Sequence, residues 1–497
     1  ELRIGDRRSP TTFSVHPPGD RTTALGEGGD HGAALPLIAD QAKHAAAGGI
    51  VRSGSMWTAA AHVITAVIGS GVLSLAWSIA QLGWVAGPAA MLVFAAVTAL
   101  QSTLFADCYR SPDPEHGPHR NRTYAKAVDR NLGSSSSWVC MLLQHTALFG
   151  YGIAYTITAS ISCRQEAYLG LRLAAANCYH EHGHDAHCDY DGNYYMLIFG
   201  GVQLLLSFIP DFHDMAWLSV VAAAMSFSYA FIGLGLGLAR TIANGTIKGS
   251  ITGVRMRTPM QKVWRVSQAI GDIAFAYPYS LILLEIQDTL KSPPAENKTM
   301  KRASMISILV TTFFYLCCGC LGYAAFGSDA PGNLLTGFGL YGPYWLIDFA
   351  NACIILHLLG GYQVYSQPIF QFAERLLAER FPDSGFVNGG SYTVRFACLR
   401  ACRVDPLRVC LRTLYVASTT AVAVALPYFN EVLALLGALS FWPLAIYFPV
   451  EMYFIQRNVR RWSARWVVLQ TFSVVCLLVS AFALVGSIEG LISKKLG

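Results

Sequence analysis

Thr65–Trp84 reads TAVIGSGVLSLAWSIAQLGW, with Gly69-Ser70-Gly71 near its middle. The stretch is apolar enough to cross a membrane, yet two glycines and a serine are poor material for a helix interior. Backbone freed from helical hydrogen bonds at membrane depth must be buried in protein or line a polar cavity. A second stretch, Gly271–Gln287, reads GDIAFAYPYSLILLEIQ and sets Pro278 between two tyrosines. Proline removes a donor and clashes with the preceding turn, so this helix should break as well. Either interruption alone fits a close-packing motif or a simple kink. Their positions in the chain argue for more.

The composition is that of a membrane protein. Of the 497 residues, 53% are hydrophobic and only 13% charged, where a soluble protein carries about 25% charged residues. Apolar runs of about 20 residues mark spans near 56–82, 84–107, 138–164, 193–210, 215–239, 264–286, 302–326, 343–370, 408–427, 430–456 and 464–489. The expectation is an all-α polytopic domain over 53–492 with about eleven transmembrane helices. Residues 1–52, rich in Gly, Ala, His, Arg and Asp, read as a disordered tail. Most Lys and Arg fall on one side of the membrane when that tail is cytosolic, which is the orientation expected. The loop holding Lys248, Arg255, Arg257 and Lys262 breaks the pattern, although the sequon Asn244-Gly245-Thr246 fits an outside placement. The net charge of +6 then reflects orientation and gives no case for nucleic-acid binding.

The interruptions fall in the first and sixth spans. Five spans followed by five (repeat one about 56–239, repeat two about 264–456, an extra helix about 464–489) is the pattern of an inverted-repeat transporter. There, corresponding broken helices mark the substrate site. A half-helix starting at Gly71–Val72 presents free N–H groups and a positive dipole end, which suits a carboxylate. Unwound carbonyls around Phe275–Tyr277 can accept bonds from an ammonium group. Carboxylate and amine together describe an α-amino acid. The expected substrate-binding set is Ile68, Gly69, Ser70, Gly71, Val72, Phe275, Ala276, Tyr277 and Pro278, with Tyr155 from the third span. Tyr151 and Tyr279 read as packing.

The string HEHGH at His180–His184 matches the His-Glu-x-x-His pattern of zinc proteases. It falls in the expected outside loop between spans three and four. Gly183 interrupts it and Asp185, Asp189 and Asp191 crowd its end, so the segment reads as a poor helix. No metal site is expected. Cys178 and Cys188 flank it on the oxidising side, where they could close a small disulfide loop.

The strings GSGVLSLAWSIAQLGW, IPDFHDMAWLS, GDIAFAYPYSLILLEIQDTLKSPP, GYAAFG, PGNLLTGFG and LLGALSFWPLAIYFPVEMY resemble those of plant amino acid permeases, in the amino acid/auxin permease family of the amino acid-polyamine-organocation superfamily. The likeness runs in order over about residues 56–490. It implies a leucine-transporter-like fold and proton-coupled amino acid uptake at the plasma membrane, with no cofactor beyond the co-transported proton. The Cys178/Cys188 spacing also resembles the family's. Two departures lie close to the presumed path: Pro278 stands where serine is common, and His145-Thr146 replaces other residues.

Sodium-coupled relatives of the fold place span-eight hydroxyls against the break in span one. Span eight here reads HLLGGYQVYSQ, with no Ser or Thr pair beside Gly360-Gly361. A proton needs only a titratable group, and ionisable residues inside a membrane are expensive enough to be functional suspects. His62, His357 and Asp272 are the candidates; Glu285 and Asp107, near helix ends, read as structural. The expected function is a proton/amino-acid symporter. A sodium-coupled transporter and a non-transporting amino acid receptor on the same fold are the alternatives.

Overall fold

The computed structural model describes residues 52–182, 192–208, 216–338, 343–388, 392–394 and 402–496, all within one compact unit spanning Ala34–Gly497. The expected tail 1–52 lies outside them except for Arg52.

The chain is a helical bundle. Helix α1 covers Met56–Val67 and opens with a capping box, in which Ser55 Oγ accepts from the Thr58 N–H while Thr58 Oγ1 accepts from the Ser55 N–H. Helix α2, Gly71–Asp107, is two helices joined at Gly83. The backbone there has φ 88°, and a Cβ would run into the Ile251 carbonyl, so only glycine fits. A short hairpin follows, β1 (Arg110–Ser111) against β2 (His119–Arg120). Then come α3 (Tyr124–Leu132), α4 (Ser134–His182), α5 (Gly192–Ser207) and α6 (Ala216–Asn244).

Helix α7, Pro259–Ala276, is capped by Thr258 with proline in its first turn, and α8 covers Ser280–Asp288. Helices α9 (Glu296–Phe326) and α10 (Tyr344–Arg380) precede a second hairpin, β3 (Tyr392–Val394) with β4 (Cys402–Val404). Helix α11, Pro406–Ala425, starts on an Asp405 cap. Helix α12 (Phe429–Ser440) passes through a π-helical stretch, Phe441–Tyr447, into α13 (Phe448–Gln456), and α14 is Ala464–Leu496.

Among the described residues, eight helical segments are long and apolar enough to cross a membrane. The outward faces carry exposed Leu92, Val93, Leu309, Phe313, Val468 and Leu478, as expected of helices facing lipid rather than water. Several helices outrun the apolar stretches that mark them. Helix α10 continues through the charged run to Arg380, and α9 begins in the polar segment at Glu296. Glu, Lys, Arg, Ala and Leu all favour helix, so the backbone does not stop where hydropathy does.

The core is built where α2 packs against α7 and α9, and where α12 packs against α7. Gly271 and Gly437 permit the last contact, since a Cβ on Gly271 would stand 2.7 Å from Ala434 O. The two ends of the bundle differ in chemistry. One holds Arg52 and the starts of α1 and α9; the other holds the starts of α7 and α12 together with Lys494.

Candidate site at the two helix breaks

Helix α1 stops at Val67 and α2 starts at Gly71, leaving Ile68-Gly69-Ser70 unwound. Helix α7 stops at Ala276 and α8 starts at Ser280, leaving Tyr277-Pro278-Tyr279. The two breaks touch. A Cβ on Gly71 would stand 3.1 Å from Ala276 Cα and 3.4 Å from Phe275 Cδ1.

Freed carbonyls need donors, and buried tyrosines supply them. Tyr315 Oη of α9 lies 2.6 Å from Val67 O and 2.9 Å from Ala276 O, so one hydroxyl clamps both breaks. Tyr229 Oη of α6 donates to Ile68 O at 3.1 Å. Sequence reasoning passed over both residues. The available signal was a tyrosine inside an apolar span, whose hydroxyl must find a partner when buried.

A cavity opens between the breaks. Of the residues expected at the site, Gly69, Ser70, Gly71, Tyr155, Phe275, Ala276 and Pro278 line it. Ile68, Val72 and Tyr277 are buried beside it without lining it. The Tyr277 ring packs edge-on against Tyr315, with centroids 5.2 Å apart. Tyr151 and Tyr279, read from sequence as packing, do line the cavity, as does Tyr365 of α10. Tyr151 stacks on Tyr365 at 5.2 Å and meets Phe275 at 5.3 Å, forming an aromatic wall. Among the described residues, no side chain lining the cavity carries a charge. Ser70 Oγ is buried without a hydrogen-bond partner among the described residues.

His357 reaches the break from α10. Its Nδ1 lies 2.9 Å from Ser226 Oγ and 3.3 Å from Ala222 O. The carbonyl can only accept, which assigns the proton of the neutral ring to Nδ1 and leaves Nε2 as an acceptor. That Nε2 is the atom a Cβ on Gly69 would meet, at 3.9 Å. His62 is buried on α1 and makes no hydrogen bond among the described residues. Asp272 is fully buried one turn before the second break; its Oδ2 accepts from Asn430 Nδ2 at 3.1 Å and Ser78 Oγ at 3.3 Å, while Oδ1 has no partner among the described residues. The first serine or threonine after Gly361 on α10, Ser366, turns its hydroxyl back to Tyr362 O and Gln363 O.

The Arg52 end is closed by ion pairs. Arg52 meets the buried Asp288 at 2.8 Å, and Tyr109 donates a short bond to the same carboxylate. Backbone bonds from Gly54 N to Thr289 O and from Lys291 N to Gly54 O staple the end of α8 to the start of α1. Arg110 and Arg120 both reach Glu296, whose hydrogen bonds hold the Arg110 guanidinium above its ordinary pKa. Asp107 is held by Lys301 and Arg457.

Helix α4 is helical through His182, so the first residues of the His-Glu-x-x-His string continue a helix rather than forming the loop read from sequence. Hydropathy ended that span near residue 164, but the segment after it keeps enough helix formers to go on. The remainder of the string and the pairing of Cys178 with Cys188 lie outside the described residues. No cluster of three metal-ligating side chains occurs among the described residues.

Two interrupted helices meeting at a cavity inside a polytopic bundle define a membrane transporter architecture. The fold is similar to that of the nucleobase-cation-symport-1 family transporter Mhp1. Its closed, bromovinylhydantoin-bound structure matches with a TM-score of 0.51 at 14% identity, over 89% of this chain and 92% of that one. The chain belongs to the transmembrane amino acid transporter protein family, whose model matches residues 52–493. It is 55% identical to probable amino acid permease 7 of Arabidopsis thaliana over 90% of this chain and 95% of that protein. To amino acid permease 3 of the same plant it is 53% identical, over 89% and 91%. The chain is thus a permease of the plant type, a multi-pass membrane protein and not an enzyme.

Proposed function

We propose that this protein is a proton-coupled amino acid symporter. It would import amino acids across the plasma membrane by alternating access, with its N-terminus in the cytosol. Its helices then make eleven spans in a leucine-transporter-like 5+5 inverted repeat. In that arrangement α1 and the first part of α2 form span one, and α7 with α8 forms span six.

The observation that carries this reading is the uncharged cavity between the two breaks. A zwitterion needs one positive and one negative partner, and no side chain lining the cavity supplies either. The backbone does. The start of α2 at Gly71 leaves N–H groups without intrahelical acceptors and a positive dipole end for the carboxylate. Carbonyls at the ends of α1 and α7 retain a lone pair for the ammonium group. The aromatic wall of Tyr151, Tyr155, Tyr365 and Phe275 leaves room for an uncharged side chain. A helix N-terminus also binds the anion without a buried cationic side chain, which would trap the cargo when the carrier must release it.

Proton rather than sodium coupling is supported by α10, where Ser366 bonds to its own helix and offers no hard oxygen beside Gly69. His357, His62 and Asp272 are the candidates that the sequence offers for proton coupling. Electrophysiology in oocytes tests the reading, with an amino-acid panel at two pH values, with and without sodium. Substrate-induced inward current that grows at acid pH without sodium is expected. A current that requires sodium and ignores pH overturns proton symport. Binding without current or uptake would identify a receptor instead.

A further inference from the structure

Glu285 lies on α8 between the cavity and the ion pairs at the Arg52 end, and takes part in neither. Its carboxylate makes no hydrogen bond or ion pair among the described residues. Asp107, Asp272, Asp288 and Glu296 are all partnered.

Within α8, Leu281, Ile282 and Glu285 are partly exposed while every other side chain is buried, and Thr289 just beyond continues the line. Spacings of one, four and eight residues put these side chains on one face. Leu281 and Ile282 line the cavity. Glu285 therefore looks along the cavity's own face, about 6 Å further towards the Arg52 end by helical rise. Tyr365, which lines the cavity from α10, is within electrostatic reach of its carboxylate.

Among the described residues, no cation on the helices packed on α8 pairs with Glu285. Helix α8 contacts α1, α2, α3, α9 and the π-helical stretch. From α2, Asp107 is taken by Lys301 and Arg457; from α9, Glu296 is taken by Arg110 and Arg120, and Lys298 by Glu115. Lys126, Asp129 and Arg130 of α3 and Arg302 of α9 are exposed. The Tyr124 hydroxyl donates to Leu444 O, and the Tyr315 hydroxyl to the broken-helix carbonyls. His62 of α1 is buried, and Asp288 on α8 itself is paired with Arg52. Tyr365 is the cavity-lining titratable group within electrostatic reach of Glu285.

A carboxylate inside a membrane span without a counter-cation is costly when ionised, and protonation removes the cost. A group that couples proton to cargo must also stand next to the cargo and on a path to water. From these observations we infer that Glu285 carries the transported proton on the Arg52 side of the cavity. It binds one proton when the cavity is loaded and yields that proton when the Arg52–Asp288 latch opens. The step is protonation alone: carboxylate plus proton gives the neutral acid, and the same proton returns to water on the far side. Buried Asp272 and His357, by contrast, already hold hydrogen bonds to neighbouring helices.

This inference rests on the proton-coupled reading, and its test separates the two. An amino acid that the parent carries in the panel is applied to cells loaded with a pH indicator, while counterflow of the labelled amino acid is followed in parallel. The parent should acidify the interior on substrate addition. In Glu285→Gln, acidification should fall about tenfold or more and uptake should lose its dependence on outside pH, while counterflow persists because exchange needs no net proton movement. Glu285→Gln that acidifies the interior like the parent overturns the assignment while leaving proton symport intact. A parent that transports without acidifying the interior overturns both. Where Glu285→Gln loses counterflow too, Glu285→Asp decides: retained acidification with a shifted pH midpoint supports the assignment, and an unchanged midpoint overturns it.

Discussion

The two ends of the bundle close the same cavity by different chemistry. At the Arg52 end, charges meet charges: Arg52 with Asp288, Arg110 and Arg120 with Glu296, and Lys301 and Arg457 with Asp107. At the Lys494 end, α2, α7 and α12 are joined through Asp272 by the neutral donors Ser78 and Asn430. The ion pairs there share one buried carboxylate, Glu431 of α12, which Lys494 of α14 meets at 2.7 Å and Arg265 of the broken helix α7 at 3.7 Å. An ion pair whose carboxylate is buried resists loss of one partner far more than a pair of hydrogen bonds does. The comparison sets three ion-paired carboxylates at the Arg52 end against one, Glu431, beside the neutral Asp272 junction at the other.

The largest effect is expected where the ends meet. Gly71→Val sets a branched side chain against Ala276 and Phe275 and should abolish uptake while surface labelling stays near the parent's. Transport with unchanged apparent affinity would place the site elsewhere and empty the comparison of meaning.

Asp288→Ala comes next, because it strands Arg52 and removes the Tyr109 acceptor. Breaking such a buried pair costs on the order of 3–5 kcal/mol. The protein should melt earlier, and a cysteine introduced at Ala66 should become open to thiol reagents from the Arg52 side. If that cysteine stays protected, the ion pair is not the latch.

Replacing His62 or His357 with glutamine sharpens the middle of the comparison. The proposal that either titrates predicts a weaker acid stimulation of current, with counterflow retained. Full acid stimulation in both variants removes histidine from the coupling and leaves the carboxylates.

Ser78→Ala is the smallest. Asp272 keeps Asn430, so the loss is one hydrogen bond, about 1 kcal/mol. A loss of stability as large as that of Asp288→Ala would mean the two ends are equally strong.

Much of this was legible in the chain itself. Gly69-Ser70-Gly71 and Pro278 located both breaks to within a residue or two, because glycine and proline act on their own backbone wherever they stand. Apolar runs located the helices for the same reason, since lipid exposure is paid residue by residue. Asp107 read as structural and sits in an ionic cluster. Glu285 was given the same reading from the same evidence, proximity to a helix end, and has no partner at all among the described residues.

What sequence could not settle is which way each side chain faces. Tyr277 packs on Tyr315 while Tyr279, two residues on, lines the cavity, because the turn between α7 and α8 decides their directions. Tyr315 clamps two carbonyls that lie 248 and 39 residues away, and Arg52 finds Asp288 across 236 residues. Local chemistry sets where a helix must stop. The rotation of each helix about its axis, and hence the cavity wall, the latch and the exposed stripe that carries Glu285, follows from how all the helices pack together, and only the tertiary structure decided it.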